Sequence, residues 1–132
     1  MKGPRQSIAI RTLPEQLDKS QQLALYRELE GCINIDRPSV VLDCSQLRQL
    51  DSGAAHFLLC CLEEAIKRNG DVRLAALRPE TKRQFWSTGL ADLFQIFEST
   101  DEAEESFRGP LMSLARQIPS NVNRQRAKEN AA

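Results

Sequence analysis

His56 is the single histidine of the chain and follows Ser52 by four residues, which is one turn if the stretch is helical. A serine and a histidine at that spacing invite a hydrolytic reading, with the imidazole taking the hydroxyl proton. No third residue is placed by sequence to orient the imidazole, and nothing else assembles a nucleophile, a base and an oxyanion site. The chain is therefore not expected to be an enzyme. Its four cysteines, Cys32, Cys44, Cys60 and Cys61, form no Cys-x-x-Cys pair, and one histidine cannot complete a zinc finger. No metal site is expected. Two adjacent thiols within an apolar helical run make a poor disulfide framework, so all four read as buried or half-buried reduced cysteines. No glycine loop of the Walker or dinucleotide type is present to cradle a phosphate, and no cofactor is expected.

Asp51-Ser52-Gly53 is a different kind of feature, because it opens a predicted helix. Serine there is among the preferred helix caps. It is also an exposed hydroxyl, and a phosphate on it would face unpaired backbone N–H groups and the positive end of the helix dipole. Asp51 suits a helix N-terminus electrostatically.

The elements that must position this serine follow from periodicity. Residues 7–13 alternate apolar and polar and predict one or two short strands of an edge hairpin. After Pro14, Asp18 is placed to cap a helix running to about Cys32, with Leu25, Leu29 and Cys32 on its buried face. Ser39-Val40-Val41-Leu42-Asp43 is the clearest strand, a β-branched run bounded by turn signals. A loop follows in which Leu47 and Leu50 can anchor, and then the long helix from about Gly53 to Asn69, stopped by Gly70. On that helix Ala55, Leu58, Leu62 and Ile66 read as core, and His56, Cys60, Glu63 and Lys67 as the outward face. Phe57 and Cys61 fall between the two. Val72 to Leu77 predicts a second interior strand, Pro79 to Gly89 a helix, Leu93 to Phe97 a short strand, and Asp101 onward a last helix with Ala103 and Phe107. Phe85 and Trp86 read as packing residues.

Strand and helix alternate through this order, which predicts an α/β domain with a mixed, mostly parallel sheet of four to five strands and about four helices. At 132 residues there is room for one core and not comfortably for two. Residues 1–6 are expected to be a flexible lead-in, 7–108 the domain, and 109–132 a disordered tail, although Leu111, Met112, Leu114 and Ile118 could dock a turn of helix. Eighteen basic residues balance eighteen acidic ones, so no overall field draws in nucleic acid or an anionic membrane. No run approaches the roughly 18 apolar residues that span a bilayer. The N-terminus has a positive start with no apolar segment after it, unlike a secretory leader. The chain reads as cytoplasmic.

Several of these segments, taken in order, resemble the STAS domain family. Val41-Leu42-Asp43 matches its strand ending in Leu-Asp, and Asp51-Ser52-Gly53-Ala54-Ala55 stands where the family carries Asp-Ser-(Ser/Thr)-Gly-Leu. Val72 to Leu77, Thr88-Gly89-Leu90 and Leu93-Phe94 match the strand, the helix end and the Leu-Phe pair that follow. Leu17-Asp18 matches the end of the family's Gly-Glu-Leu-Asp motif, with Glu15 and Gln16 in place of its first two residues. The resemblance covers about residues 7–107 and rests on order and spacing, not on any one tripeptide.

The resemblance implies a single STAS-like domain of the anti-sigma factor antagonist type. Its members bind a protein partner, an anti-sigma factor or serine kinase of the ATP-binding type, and in the phosphorylated members the acceptor is the serine after the motif's aspartate. Here that is Ser52. It further implies that Asp18, Asp51, Gly53, Ala54, His56, Phe57 and Cys60 lie on or beside the partner surface, with Asp51 helping to orient the kinase or its magnesium. The departures are Gly53 for the second hydroxyl residue, Ala54 for the glycine and Ala55 for the leucine. They leave a second role open, a constitutive STAS subunit bracing a lipid-transport ABC complex or a signalling scaffold, without phosphorylation.

Overall fold

A computed structural model describes residues 8–108, and in chain order they form β1 (Ile8–Thr12), α1 (Lys19–Ile33), β2 (Ser39–Asp43), α2 (Ser52–Lys67) and β3 (Asp71–Ala75). α3 (Pro79–Ser87), a 3₁₀ turn at Ala91–Leu93, β4 (Ile96–Phe97) and α4 (Thr100–Arg108) complete them. The expectations for residues 1–6 and for the tail after 108 fall outside the described residues.

The four strands lie in the order β1-β2-β3-β4, and every pair is parallel. β2 is central, and its first four residues are buried, which is why Val40-Val41-Leu42 can be continuously apolar. Because each strand is added on the same side of the last, crossovers of one hand put their helices on one face. Val40, Leu42, Val72 and Leu74 face that side and share the main core with Leu25, Leu29 and Ile33 of α1, Leu58 and Leu62 of α2, and Phe85 of α3. Val41 and Ala75 point the other way and are covered by Ala103 of α4, with Ile8, Phe97 and Phe107 packed around them. Arg73 ties α4 down: its Nε donates to Asp71 (2.8 Å), its Nη1 to the Ser106 hydroxyl (2.7 Å), and it lies 3.9 Å from the Phe107 ring centroid.

The structure corrects several local expectations. Among the described residues the N-terminal segment is one edge strand parallel to β2, with no hairpin. The buried face of α1 is completed by Ile33, since Cys32 is only half-buried. On α2, Ala65 takes the core position expected of Ile66, which is 55% exposed. The expected strand at Leu93–Phe97 shortens to Ile96–Phe97, because Ala91–Leu93 turns as a 3₁₀ helix. Phe85 is fully buried against Phe94, but Trp86 is 51% exposed.

α2 ends at Lys67, earlier than the expected Asn69, and Gly70 is not the residue that turns the chain out of it. The left-handed residue is Asn69, at φ 66°. Gly70 is needed for closeness, since a Cβ on it would lie 2.0 Å from the Pro38 carbonyl oxygen. Through that contact the turns before β2 and β3 lock together, with Asp71 N–H donating to the same carbonyl (2.9 Å).

Candidate functional site

All four helices begin at the end of the sheet where the parallel strands finish. Two loops lie side by side there, residues 13–18 after β1 and 44–51 after β2. Leu13, Leu17, Leu47 and Leu50 anchor them with buried side chains, each worth about 1.5–3 kcal/mol relative to an exposed one. Between the loops Arg48 N–H donates to Glu15 O (2.8 Å), and Gln16 and Gln49 form a parallel bridge. Two residues past the bridge on each chain come Asp18 and Asp51, so parallel pairing starts α1 and α2 next to each other.

Both aspartates are N-caps. The Asp18 carboxylate accepts from Gln21 N–H (2.9 Å) and from the Ser20 hydroxyl (2.9 Å), and these bonds, the backbone one foremost, hold its carboxyl below the usual carboxylate range. The Asp51 carboxylate accepts from Ala54 N–H (2.8 Å), and its carbonyl accepts from Ala55 N–H (3.0 Å). Ser52 is therefore not the cap, contrary to one reading of the sequence. It is the first residue of α2, exposed, and its hydroxyl has no partner among the described residues. The N–H groups of Ser52 and Gly53 are likewise unclaimed there, as two of the four orphan donors of a helix start.

The neighbouring positions divide cleanly. Gly53, His56 and Cys60 are exposed, with Glu63 and Lys67 continuing the outward face. Phe57 is half-buried against the main core. Ala54 and Ala55 are buried in that core, so Ala54, expected beside the partner surface, offers no side chain to it. A Cβ at Gly53 would meet only Asp51 Oδ1, at an ordinary 3.5 Å. Glycine is thus not required at 53, and the family's hydroxyl residue would fit there.

No thiol bonds to Asp18, Asp51 or Ser52 among the described residues. Burial pushes Cys44 and Cys61 up to about 12, so both stay protonated. Cys32 is half-buried, with Arg11 Nη2 donating to its sulfur (3.4 Å). Cys60 is exposed, a correction to the expectation that all four would be sheltered. Among the described residues no group of His, Cys, Asp and Glu is placed to hold a metal ion.

The far side of the 44–51 loop rests on α3. Arg78 Nε donates to Ser45 O (2.9 Å), the Thr81 hydroxyl donates to the buried Leu47 O (3.0 Å), and Gln84 Oε1 accepts from Leu50 N–H (2.7 Å). Residues 78, 81 and 84 thus meet 45, 47 and 50 in order. Their three-residue spacing was visible in the sequence, but nothing local says what that face of α3 lies against.

A four-stranded parallel sheet with three helices on one face and a fourth on the other makes one α/β domain of the described residues, and the family can be stated. The model of the STAS domain matches residues 4–103; the chain belongs to the STAS domain family. Similar solved structures include a candidate anti-sigma factor antagonist from Thermotoga maritima (15% identity, 75% of this chain and 80% of that one, TM-score 0.60). The STAS domain of a SulP transporter from Vibrio cholerae is also similar (13%, 83% and 85%, TM-score 0.62), as is an anti-sigma-factor antagonist (STAS) domain protein from Planctomyces limnophilus (12%, 72% and 86%, TM-score 0.61). At these identities the likeness is one of fold. No curated protein matches the chain. No helix among the described residues is long and apolar enough to cross a membrane.

Proposed function

We propose that this STAS domain is a partner-switching protein of the anti-sigma factor antagonist kind, acting in the cytoplasm and without catalysis of its own. It binds an anti-sigma factor or serine kinase of the ATP-binding type over the paired starts of α1 and α2. Asp18, Asp51, Gly53, His56, Phe57 and Cys60 provide or border the contact surface. Ser52 accepts a phosphate from that kinase, and phosphorylation releases the partner. The observation that carries this reading is the exposed Ser52 hydroxyl, without a partner among the described residues, beside two backbone N–H groups unclaimed there.

Energetics give the switch its direction. A phosphate at the start of α2 gains roughly 0.3–1 kcal/mol from the helix dipole, part of it opposed by the Asp51 carboxylate. The folded domain tolerates it. Under a docked partner the same dianion must lose water without a counter-charge, at a cost of at least several kcal/mol. About 4 kcal/mol is already a thousandfold in affinity. Modification therefore dissociates the complex well before it unfolds the domain.

A second reading has its own support, since Gly53-Ala54-Ala55 departs from the acceptor motif. In that reading the chain is a constitutive subunit of a lipid-transport ABC complex or a scaffold. Parent, Ser52→Ala and Ser52→Asp proteins used as baits in a native-host lysate separate the two. A serine kinase held by the first two and lost by the third, with phosphate mapped to Ser52 in the parent, is the switching outcome. An ATPase or scaffold held equally by all three, with no phosphate at Ser52, removes the switch.

A further inference from the structure

The 44–51 loop could reach α2 by many paths, and two of its sides are already fixed. Its first residue is tied to β3, Cys44 N–H donating to Ala75 O (2.8 Å), and its middle is bridged to residues 15–16. Leu50 is the last residue before the Asp51 cap. Its side chain is buried and its N–H ends on Gln84 Oε1 at 2.7 Å, across 34 residues of sequence. That bond is the last tie to a distant segment before Asp51 caps the helix.

We propose that Gln84 is a positioning residue for the start of α2, setting through the Leu50 N–H the placement of Asp51, Ser52 and Gly53. Its consequence for phosphoryl transfer rests on Ser52 being the acceptor. The residue needs only one property, an acceptor oxygen at that reach. Without it Leu50 N–H is left unsatisfied in a part-buried position, and the loop opens locally to find water. Thr81 holds the preceding segment by its bond to Leu47 O. Its loss should disturb Leu47 more than Ser52.

This makes α3 part of the acceptor site although, among the described residues, none on α3 bonds to Ser52. By reciprocity, an event that moves the start of α2 is felt at Gln84. The side chain sits on the same short helix as the exposed Trp86.

The test compares the parent with Gln84→Met, Gln84→Glu and Thr81→Val by amide hydrogen exchange. Methionine keeps the side-chain length and a helix propensity close to that of glutamine, and glutamate at pH 7 keeps an acceptor. In Gln84→Met the Leu50 amide should exchange at least about tenfold faster and the bonded Ala54 and Ala55 amides should follow, while β2 and β3 keep the parent's protection. Gln84→Glu should return these amides to near the parent's rates, and Thr81→Val should leave Ala54 and Ala55 unaffected. Unchanged exchange at Leu50 in Gln84→Met overturns the proposal. So does an acceleration spread evenly over the sheet, which would make Gln84 merely structural.

The same four proteins are then offered to the host's serine kinase of the anti-sigma type with ATP. A rate of Ser52 phosphorylation reduced about tenfold in Gln84→Met and restored in Gln84→Glu supports positioning, since misplacement at this scale is that costly to transfer. An unchanged rate despite faster exchange overturns it. If the parent itself takes no phosphate, the acceptor reading fails, and the exchange data alone decide whether Gln84 places the helix start.

Discussion

α1 and α2 begin side by side, each with an aspartate cap two residues past the Gln16–Gln49 bridge, and each with a serine just inside. In α1 the serine is Ser20, and its hydroxyl donates to the cap carboxylate at 2.9 Å. In α2 the serine is Ser52, one position closer to its cap, and its hydroxyl has no partner among the described residues. The surroundings differ as well. Around Asp18 the bonds are local, while the approach to Asp51 is braced from a distant helix by Gln84. One helix start uses its hydroxyl to build itself; the other is built by the rest of the domain and leaves its hydroxyl available. Serine at a helix start is by itself no sign of a modification site. What the two starts teach is that the useful observation is whether the cap and the tertiary frame already satisfy the helix without it.

The largest expected effect separates the two serines in binding. Ser52→Asp should weaken the partner complex by a factor of about a hundred or more, since a charge buried there without a counter-charge costs several kcal/mol. Ser20→Ala, which puts no charge under the partner, should change the affinity only a few-fold. Titration calorimetry with the captured partner reads both. Equal losses at the two positions would dissolve the distinction between the helix starts.

Removing a cap comes next. Asp51→Ala frees the Ala54 N–H and should cost about 1 kcal/mol of stability, within the usual 0.5–2 for such caps. In a domain of this size that lowers Tm by roughly 4–8 °C. Ser52→Ala should stay within about 0.5 kcal/mol of the parent, as surface substitutions do. Urea unfolding of the two variants sharpens the assignment of the cap. A larger loss in Ser52→Ala than in Asp51→Ala would mean that serine, not aspartate, closes the helix.

That assignment shows where the sequence was readable and where it was not. The Val40–Leu42 strand and the core stripe of α2 at Leu58 and Leu62 were legible because burial imposes a period that survives any context. The start of α2 was legible only to within a residue. Asp51 and Ser52 are both good caps, and the choice between them is made by Leu47 and Leu50, which fix how far the loop has travelled when it turns. Ile66 and Ala65 changed places for a related reason, since a small rotation of the helix decides which of two adjacent apolar residues faces the sheet. Gly70 was read as the stop of α2, but Asn69 takes the left-handed position, and glycine is required at 70 by the approach of Pro38, 32 positions away in the chain. Gln84 carries no local signal at all, because an exposed glutamine on a short helix acquires meaning only from the amide opposite it.

The smallest expected effect concerns acid. Bonds from Gln21 N–H and then the Ser20 hydroxyl lower the folded-state pKa of Asp18. A carboxyl depressed on folding stabilises the fold fully above its unfolded value, about 3.9, and that contribution fades as pH falls through the folded value. Its window is therefore the acid limb below about pH 4, and neutral pH leaves it intact. Ser20→Ala should raise the Asp18 pKa only part of the way back, because the Gln21 bond is the larger cause and remains. Asp18→Asn should flatten the acid limb while still capping α1. Carboxyl chemical shifts followed from pH 6 to pH 2 measure the first effect, and urea midpoints over the same range the second. Ser52→Ala leaves Asp18 untouched in both. A shift of Asp18 on that substitution would mean that the two helix starts communicate, and that Ser52 is less free than its unbonded hydroxyl implies.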